Sequence, residues 1–179
     1  MSLLDFALWI QSTTFFTELR LSSNVYPLIL SLHLTGMGLF GGMILLTDLR
    51  ILNLTLRKYS VADVAGGLRR LKQVGFVLVA TCGVLMLGSK AEEYYFNVFF
   101  RAKLTLLILA GVHALVFRSS VYSKLNEMKT DADVPQRAKV AAGLSLVLWL
   151  SIMIMGRGIG YINPPADVHA EVHPVVDVR

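Results

Sequence analysis

Four stretches of this chain stay apolar for long enough to cross a bilayer core, which takes roughly 20 residues of helix. They run from Tyr26 to Thr47, Gln73 to Ser89, Asn97 to Phe117 and Lys139 to Tyr161, and the second is the shortest. Each is followed by a polar connection of ordinary length. No repeat period, composition break or linker divides the chain. The pattern therefore predicts an all-α protein: an integral membrane bundle of four transmembrane helices occupying residues 23–161 as one domain. Ahead of it, Ser2 and Asp5 form the sequence of a capping box. Leu3, Leu4, Phe6, Ala7, Trp9 and Ile10, then Phe15, Phe16 and Leu19, predict short amphipathic helices lying on the membrane surface over residues 1–22. The segment has no basic n-region and carries Asp5 instead, which argues against a cleaved signal peptide. Residues 162–179 open with Pro164 and Pro165 and read as a tail.

Composition strengthens the membrane reading: 55% of the 179 residues are hydrophobic and the mean hydropathy is +0.62, above the range of an ordinary soluble domain. Charge then orients the bundle. Arg50, Arg57, Lys58, Arg69, Arg70 and Lys72 follow the first span, and Arg118, Lys124, Lys129 and Arg137 follow the third. The second connection sets Lys90 against Glu92 and Glu93, and Arg20 is the cation before the first span. By the positive-inside rule the first and third connections are cytoplasmic and both termini face outward. This asymmetry accounts for the net charge of +5, so the partner it implies is an anionic lipid surface and not nucleic acid. The lone Cys82 falls within the second span and has no intramolecular partner.

Within the spans, three ionisable residues stand out: His33, Lys103 and His113. Ionisable groups at membrane depth are costly, and each marks a site by default. At about 1.5 Å per residue, His33 lies roughly 10 Å below the outer end of its helix, Lys103 roughly 9 Å and His113 roughly 24 Å. Arg157 returns to the outer level on the fourth span. No Asp or Glu falls in the spans at that level, and Asp48 is at the opposite end. Buried cations without carboxylates call for an anionic guest. A haem b suits both needs, its iron taking an imidazole and its propionates taking Lys or Arg. On this reading His33 is an axial ligand. Lys103 is the opposite ligand or a propionate partner, and Arg101 and Arg157 hold propionates. His113 is a second ligand or a hydrogen-bonded core residue. A depth difference of roughly 14 Å disfavours one haem shared by His33 and His113. The alternative account has Lys103, Arg101 and Arg157 snorkelling to lipid phosphates while His33 bonds between helices.

Gly36, Gly38, Gly41 and Gly42 follow His33 and would admit a flat macrocycle or another backbone. The pairs Gly38/Gly42 and Gly156/Gly160 also match the small-xxx-small pattern of helix packing and homo-oligomers. Phe40, Trp149 and Tyr161 could wall an apolar pocket, although Tyr161 and Tyr26 serve equally as interface anchors. In the tail, His169 and His173 flank Glu171 at a spacing that suits copper or zinc, or else the tail is simply solvated. Nothing in the spans has the nucleophile or paired carboxylates of hydrolytic chemistry.

Three segments, LHLTGMGLFGGMILLTDLRIL (Leu32 to Leu52), FFRAKLTLLILAGVHALVF (Phe99 to Phe117) and SLVLWLSIMIMGRGIGY (Ser145 to Tyr161), resemble a family of small bacterial four-helix membrane proteins. A more distant similarity is to the HemJ-type protoporphyrinogen oxidases, which are b-haem membrane proteins. That similarity implies functional roles for His33 and Lys103, with His113 matching a later histidine of the same helix. The asparagine-glutamate-proline stretch of that group has its counterpart in LNEMK, Leu125 to Lys129, without the proline. The dihaem four-helix cytochromes need four intramembrane histidines, against two here. The expectation is a multi-pass protein of the bacterial inner membrane, with periplasmic termini and a haem in its outer half. It takes part in redox chemistry or electron transfer with an unidentified redox partner. A HemJ-like oxidase and a cofactor-free oligomeric scaffold or transport protein are the alternatives.

Overall fold

The structure is a computed structural model, described over residues 2–117 and 134–161. Among the described residues every regular element is helical, and four helices are long and apolar enough to cross a membrane: α3 (Val25–Ile51), α5 (Arg69–Ser89), α7 (Val98–Phe117) and α8 (Gln136–Gly158), the last continued by a 3-10 turn at Ile159–Tyr161. Their most apolar windows have mean hydropathies from 1.7 to 1.9. The chain is therefore an all-α, multi-pass membrane protein.

Four shorter helices accompany them: α1 (Leu3–Ser12), α2 (Thr14–Leu21), α4 (Val61–Gly67) and α6 (Ala91–Phe96). The capping box that starts α1 is formed as its sequence predicts. Asp5 N donates to Ser2 Oγ at 3.1 Å and Ser2 N donates to Asp5 Oδ2 at 2.7 Å, satisfying two of the amides that a helix start leaves open. Those bonds to Ser2 hold the exposed Asp5 carboxyl below its usual range.

The helix pair α1 and α2 is fastened to one end of the bundle. Gln11 Nε2 donates to Glu92 Oε2 at 3.3 Å while Glu92 N donates to Gln11 Oε1 at 3.0 Å, tying α1 to α6. From α2, Arg20 donates to Ser89 O at 3.3 Å, and the Phe16 ring occupies the space that a side chain on Gly88 would need. Leu19 joins Ile29 and Cys82 in a small core. The opposite end carries α4, and there Ile51, Val61, Ala138 and Ala142 pack together.

Among the spans, α3 lies between α5 and α8, and α7 packs along α8. Burial follows from that order. The windows of α3 and α8 are each 33% buried, against 17% for α5 and 6% for α7. Most of α7 thus presents leucine, isoleucine and valine to the outside, as lipid contact demands and water would not permit.

Two span boundaries differ from the sequence reading, and both matter for the site. The first helix runs on to Ile51 and the second begins at Arg69, so Asp48, Arg50 and Lys72 belong to the helices and not to a loop. Charged residues end an apolar run, but they do not end a helix whose side chains find partners inside. Arg50, 1% exposed, shows how: its Nε donates to Tyr59 O at 2.7 Å and Nη1 to Asn53 Oδ1 at 3.4 Å. It clamps the turn in which Asn53 and Leu56 take the left-handed conformation (φ of 60° and 53°), and so is a structural cation.

Candidate functional site

Two polar groups lie inside the bundle, one toward each end. The group nearer α1 and α2 centres on His33, which is 8% exposed. Its Nδ1 lies 3.0 Å from Val79 O on α5. A carbonyl oxygen can only accept, so in the neutral ring Nδ1 carries the hydrogen and Nε2 keeps its lone pair. Metal-binding histidines are usually set up in this way, with one nitrogen anchored and the other left to coordinate. Glycines bring α5 close enough to make the anchor. A Cβ on Gly36 would come within 2.9 Å of Val79 Cγ2, and one on Gly83 within 3.2 Å of His33 Cε1. Of the two uses foreseen for Gly36, the structure shows the approach of a neighbouring helix.

Lys103 reaches the same region from α7. Its side chain passes Gly156 of α8, where a Cβ would lie 3.4 Å from Nζ, and Nζ ends 4.0 Å from Met37 Sδ on α3. Met37 is one turn beyond His33 on the same helix. A thioether is a weak acceptor, so among the described residues this part-buried ammonium has no carboxylate. Arg101 and Arg157 do not converge on it. Both are exposed, and Arg157 donates to Tyr161 Oη at 3.2 Å with its guanidinium 5.2 Å from that ring. Tyr161 is likewise at the exposed end, whereas the part-buried Phe40 packs edge-on to Trp149 at 5.1 Å and against the exposed Phe76 at 5.7 Å. Gly38, Gly42 and Gly160 meet nothing within 4 Å.

The second group lines a cavity of about 280 Å³ toward the α4 end, among Thr47, Asp48, Lys72, His113, Ser145 and Trp149. His113 Nε2 lies 3.0 Å from Ala141 O, so in the neutral ring it is Nδ1 that keeps the lone pair. The Phe117 ring packs 4.7 Å away. Lys72 Nζ donates to Thr47 Oγ1 at 3.2 Å, and that hydroxyl donates to Met43 O at 2.8 Å. Asp48 is 2% exposed, and its Oδ2 has no hydrogen-bond partner. Lys72 and Asp48 thus face one cavity without the lysine spending its bond on the carboxylate.

His113 shares its level with Asp48, which follows His33 by 15 residues, or about 22 Å of helix. The two histidines consequently serve separate places. Sequence reading found His33, Lys103 and His113 but left Asp48, Lys72 and Ser145 out of any site. The signal is the aspartate and lysine that abut two apolar runs, where a span drawn by apolarity alone stops.

Arg118, Lys124, Lys129 and the LNEMK stretch lie outside the described residues, as do His169 and His173 with the copper or zinc site expected of them. Among the described residues, no three His, Cys, Asp or Glu side chains gather as a metal-binding group.

A family model for DUF6644, described as a family of unknown function, matches residues 11–162. The match covers most of the chain, which belongs to that family. No curated protein and no solved structure matches it.

Proposed function

We propose that this DUF6644 protein is a b-type haem protein of the bacterial inner membrane, taking part in redox chemistry or electron transfer near the periplasmic face. The observation that carries the reading is the pairing of His33, anchored through Nδ1 to Val79 O, with a Lys103 ammonium whose contact is a thioether. One group offers a nitrogen lone pair to iron. The other, in the charged form, wants an anion, as a propionate would supply, or in the deprotonated form offers a second nitrogen ligand. The donor set therefore fits the cofactor. When bound, haem supplies one-electron chemistry, and the chain supplies its orientation and surroundings.

Arg101 and Arg157 sit at the rim in this reading, where they can meet solvent-facing propionates or lipid phosphates. His113 belongs to the other end, so a haem there would be a second one. The exposed Arg57, Lys58, Arg69 and Arg70 gather at the α4 end, which supports a cytoplasmic position for it and a periplasmic one for α1, α2 and both termini. A HemJ-like oxidase is the enzymatic version of the same site. A cofactor-free homo-oligomer draws support from a different observation, the open Gly38 and Gly42 on α3 and the largely unburied α7.

The test is a reduced-minus-oxidised spectrum and pyridine haemochrome of the protein purified from haem-replete cells, with His33→Ala, Lys103→Ala and His113→Ala alongside. The expected result is a b-type Soret and α band that His33→Ala abolishes and His113→Ala leaves in place. A colourless parent protein overturns the haem reading and leaves the oligomeric one.

A further inference from the structure

The cavity at the α4 end lies apart from the His33 and Lys103 site, and its chemistry is unusual for a protein interior. Burying a carboxylate and an ammonium costs several kcal/mol each unless they pair or are fully hydrogen-bonded. Lys72 instead donates to Thr47, and Asp48 keeps one carboxylate oxygen bare at 2% exposure. Two opposite charges facing one cavity without closing on each other leave room for a group between them that satisfies both.

The remaining lining defines that group. Asp48 Oδ2 and His113 Nδ1 both accept, so the guest must bring N–H or O–H donors to their side. The Ser145 hydroxyl is engaged by Asp48, whereas Lys72 retains two of its three N–H donors after Thr47 takes one, so the lysine side calls for an anionic oxygen. Trp149 supplies an apolar wall for a short carbon linker. Formal charges on the protein cancel, Asp48 against Lys72, so a guest of zero net charge is favoured over a simple cation or anion.

We propose that this cavity binds a zwitterion with a primary ammonium and an anionic group a few bonds apart, the chemistry shared by phosphatidylethanolamine headgroups and soluble phosphoethanolamine compounds. The ammonium donates to Asp48 and His113, and the anion accepts from Lys72. Depth agrees with a headgroup. Asp48 is three residues from the end of α3 and Lys72 three from the start of α5, so both lie roughly 5 Å inside the helix ends. Beside the cavity, Ala114 is exposed on α7, and Val112 and Leu115 on the same helix face outward, giving acyl chains an apolar surface to follow.

Trp149 provides the readout, because Trp9 and Trp149 are the chain's two tryptophans and Trp9 is exposed. The delipidated full-length Trp9→Phe protein in detergent is titrated with dioctanoyl-phosphatidylethanolamine, with the phosphatidylcholine and phosphatidylglycerol of the same chain length, and with glycerophosphoethanolamine. A saturable change in Trp149 fluorescence is expected for phosphatidylethanolamine. Binding should weaken about tenfold or more for the other two lipids, since a quaternary ammonium has no N–H and glycerol no charge to offer Asp48. Asp48→Asn and Lys72→Met should each weaken it similarly. Competition by glycerophosphoethanolamine assigns the site to a soluble zwitterion, and its absence assigns the site to the lipid. Equal responses to the three lipids, or no saturable response, overturn the proposal, and that comparison needs neither charge variant to fold.

Discussion

Replacing Gly36 by alanine tests the contact on which the His33 anchor depends. The added Cβ would lie 2.9 Å from Val79 Cγ2 and 3.4 Å from Leu78 Cδ2. The first distance is shorter than carbon atoms tolerate. Valine is stiff at χ1, so relief comes by moving α5 away from α3 and not by rotating a side chain. Overpacking of this kind costs about 1–3 kcal/mol, and stretching the bond from His33 Nδ1 to Val79 O, 3.0 Å long, forfeits up to about 1 kcal/mol more. Against this stands a gain of about 1 kcal/mol for alanine over glycine in a helix. The net expectation is a loss of up to about 3 kcal/mol. Gly38→Ala is the internal control, since nothing lies within 4 Å of its Cβ position and the helix-forming gain is the same. The assay is reversible unfolding in mixed micelles for the two single variants, Val79→Ala, and the double variant Gly36→Ala/Val79→Ala. Removing Cγ2 should relieve the clash, giving a favourable coupling of about 1–2 kcal/mol in the double-mutant cycle. If Gly36→Ala is as stable as Gly38→Ala, or the cycle is additive within about 0.5 kcal/mol, the close α3–α5 approach is not what holds these helices.

Two further outcomes follow. Gly156→Leu should fill the space through which Lys103 reaches Met37, displacing an ammonium that lies 3.4 Å from the Cβ position; mass spectrometry after amine acetylation should then find Lys103 labelled several-fold faster, and an unchanged rate would refute that route. The capping box of α1 should depend on pH. Since the Asp5 carboxyl is held below its ordinary range, its contribution is complete above the unfolded value of about 3.9 and is lost as pH falls through the lower folded value. Amide exchange over Leu3–Ser12 should quicken across that acid window, after correction for intrinsic rates, and Asp5→Asn should remove the dependence.

How much of this molecule was legible beforehand differs sharply between elements. The four spans, the short N-terminal helices and the Ser2–Asp5 box were readable because each is written in neighbouring residues: apolar length for the spans, a three-residue spacing for the cap. Depth arithmetic likewise assigns Lys103 to the level of His33, since the rise of a helix is the same whatever surrounds it, and the structure ends Lys103 one turn from His33. Asp48 and Lys72 went unread for the opposite reason. A charge looks like the end of a span when its cost is counted alone, and that cost changes once another helix supplies Thr47, Ser145 or a shared cavity.

The sequence by itself determined the four spanning helices, the two short N-terminal ones and the shared level of His33 and Lys103. Only the tertiary structure decided which nitrogen of each histidine is left to act. Val79 O claims Nδ1 of His33 and Ala141 O claims Nε2 of His113, and each carbonyl arrives on a different helix. The same is true of the bare oxygen of Asp48 opposite Lys72. Helix formation in lipid is settled within one segment, by backbone groups that must bond to their own chain. The chemistry of a buried polar side chain is settled by whichever neighbour packing brings within 3 Å or so, and that neighbour lies dozens of residues away.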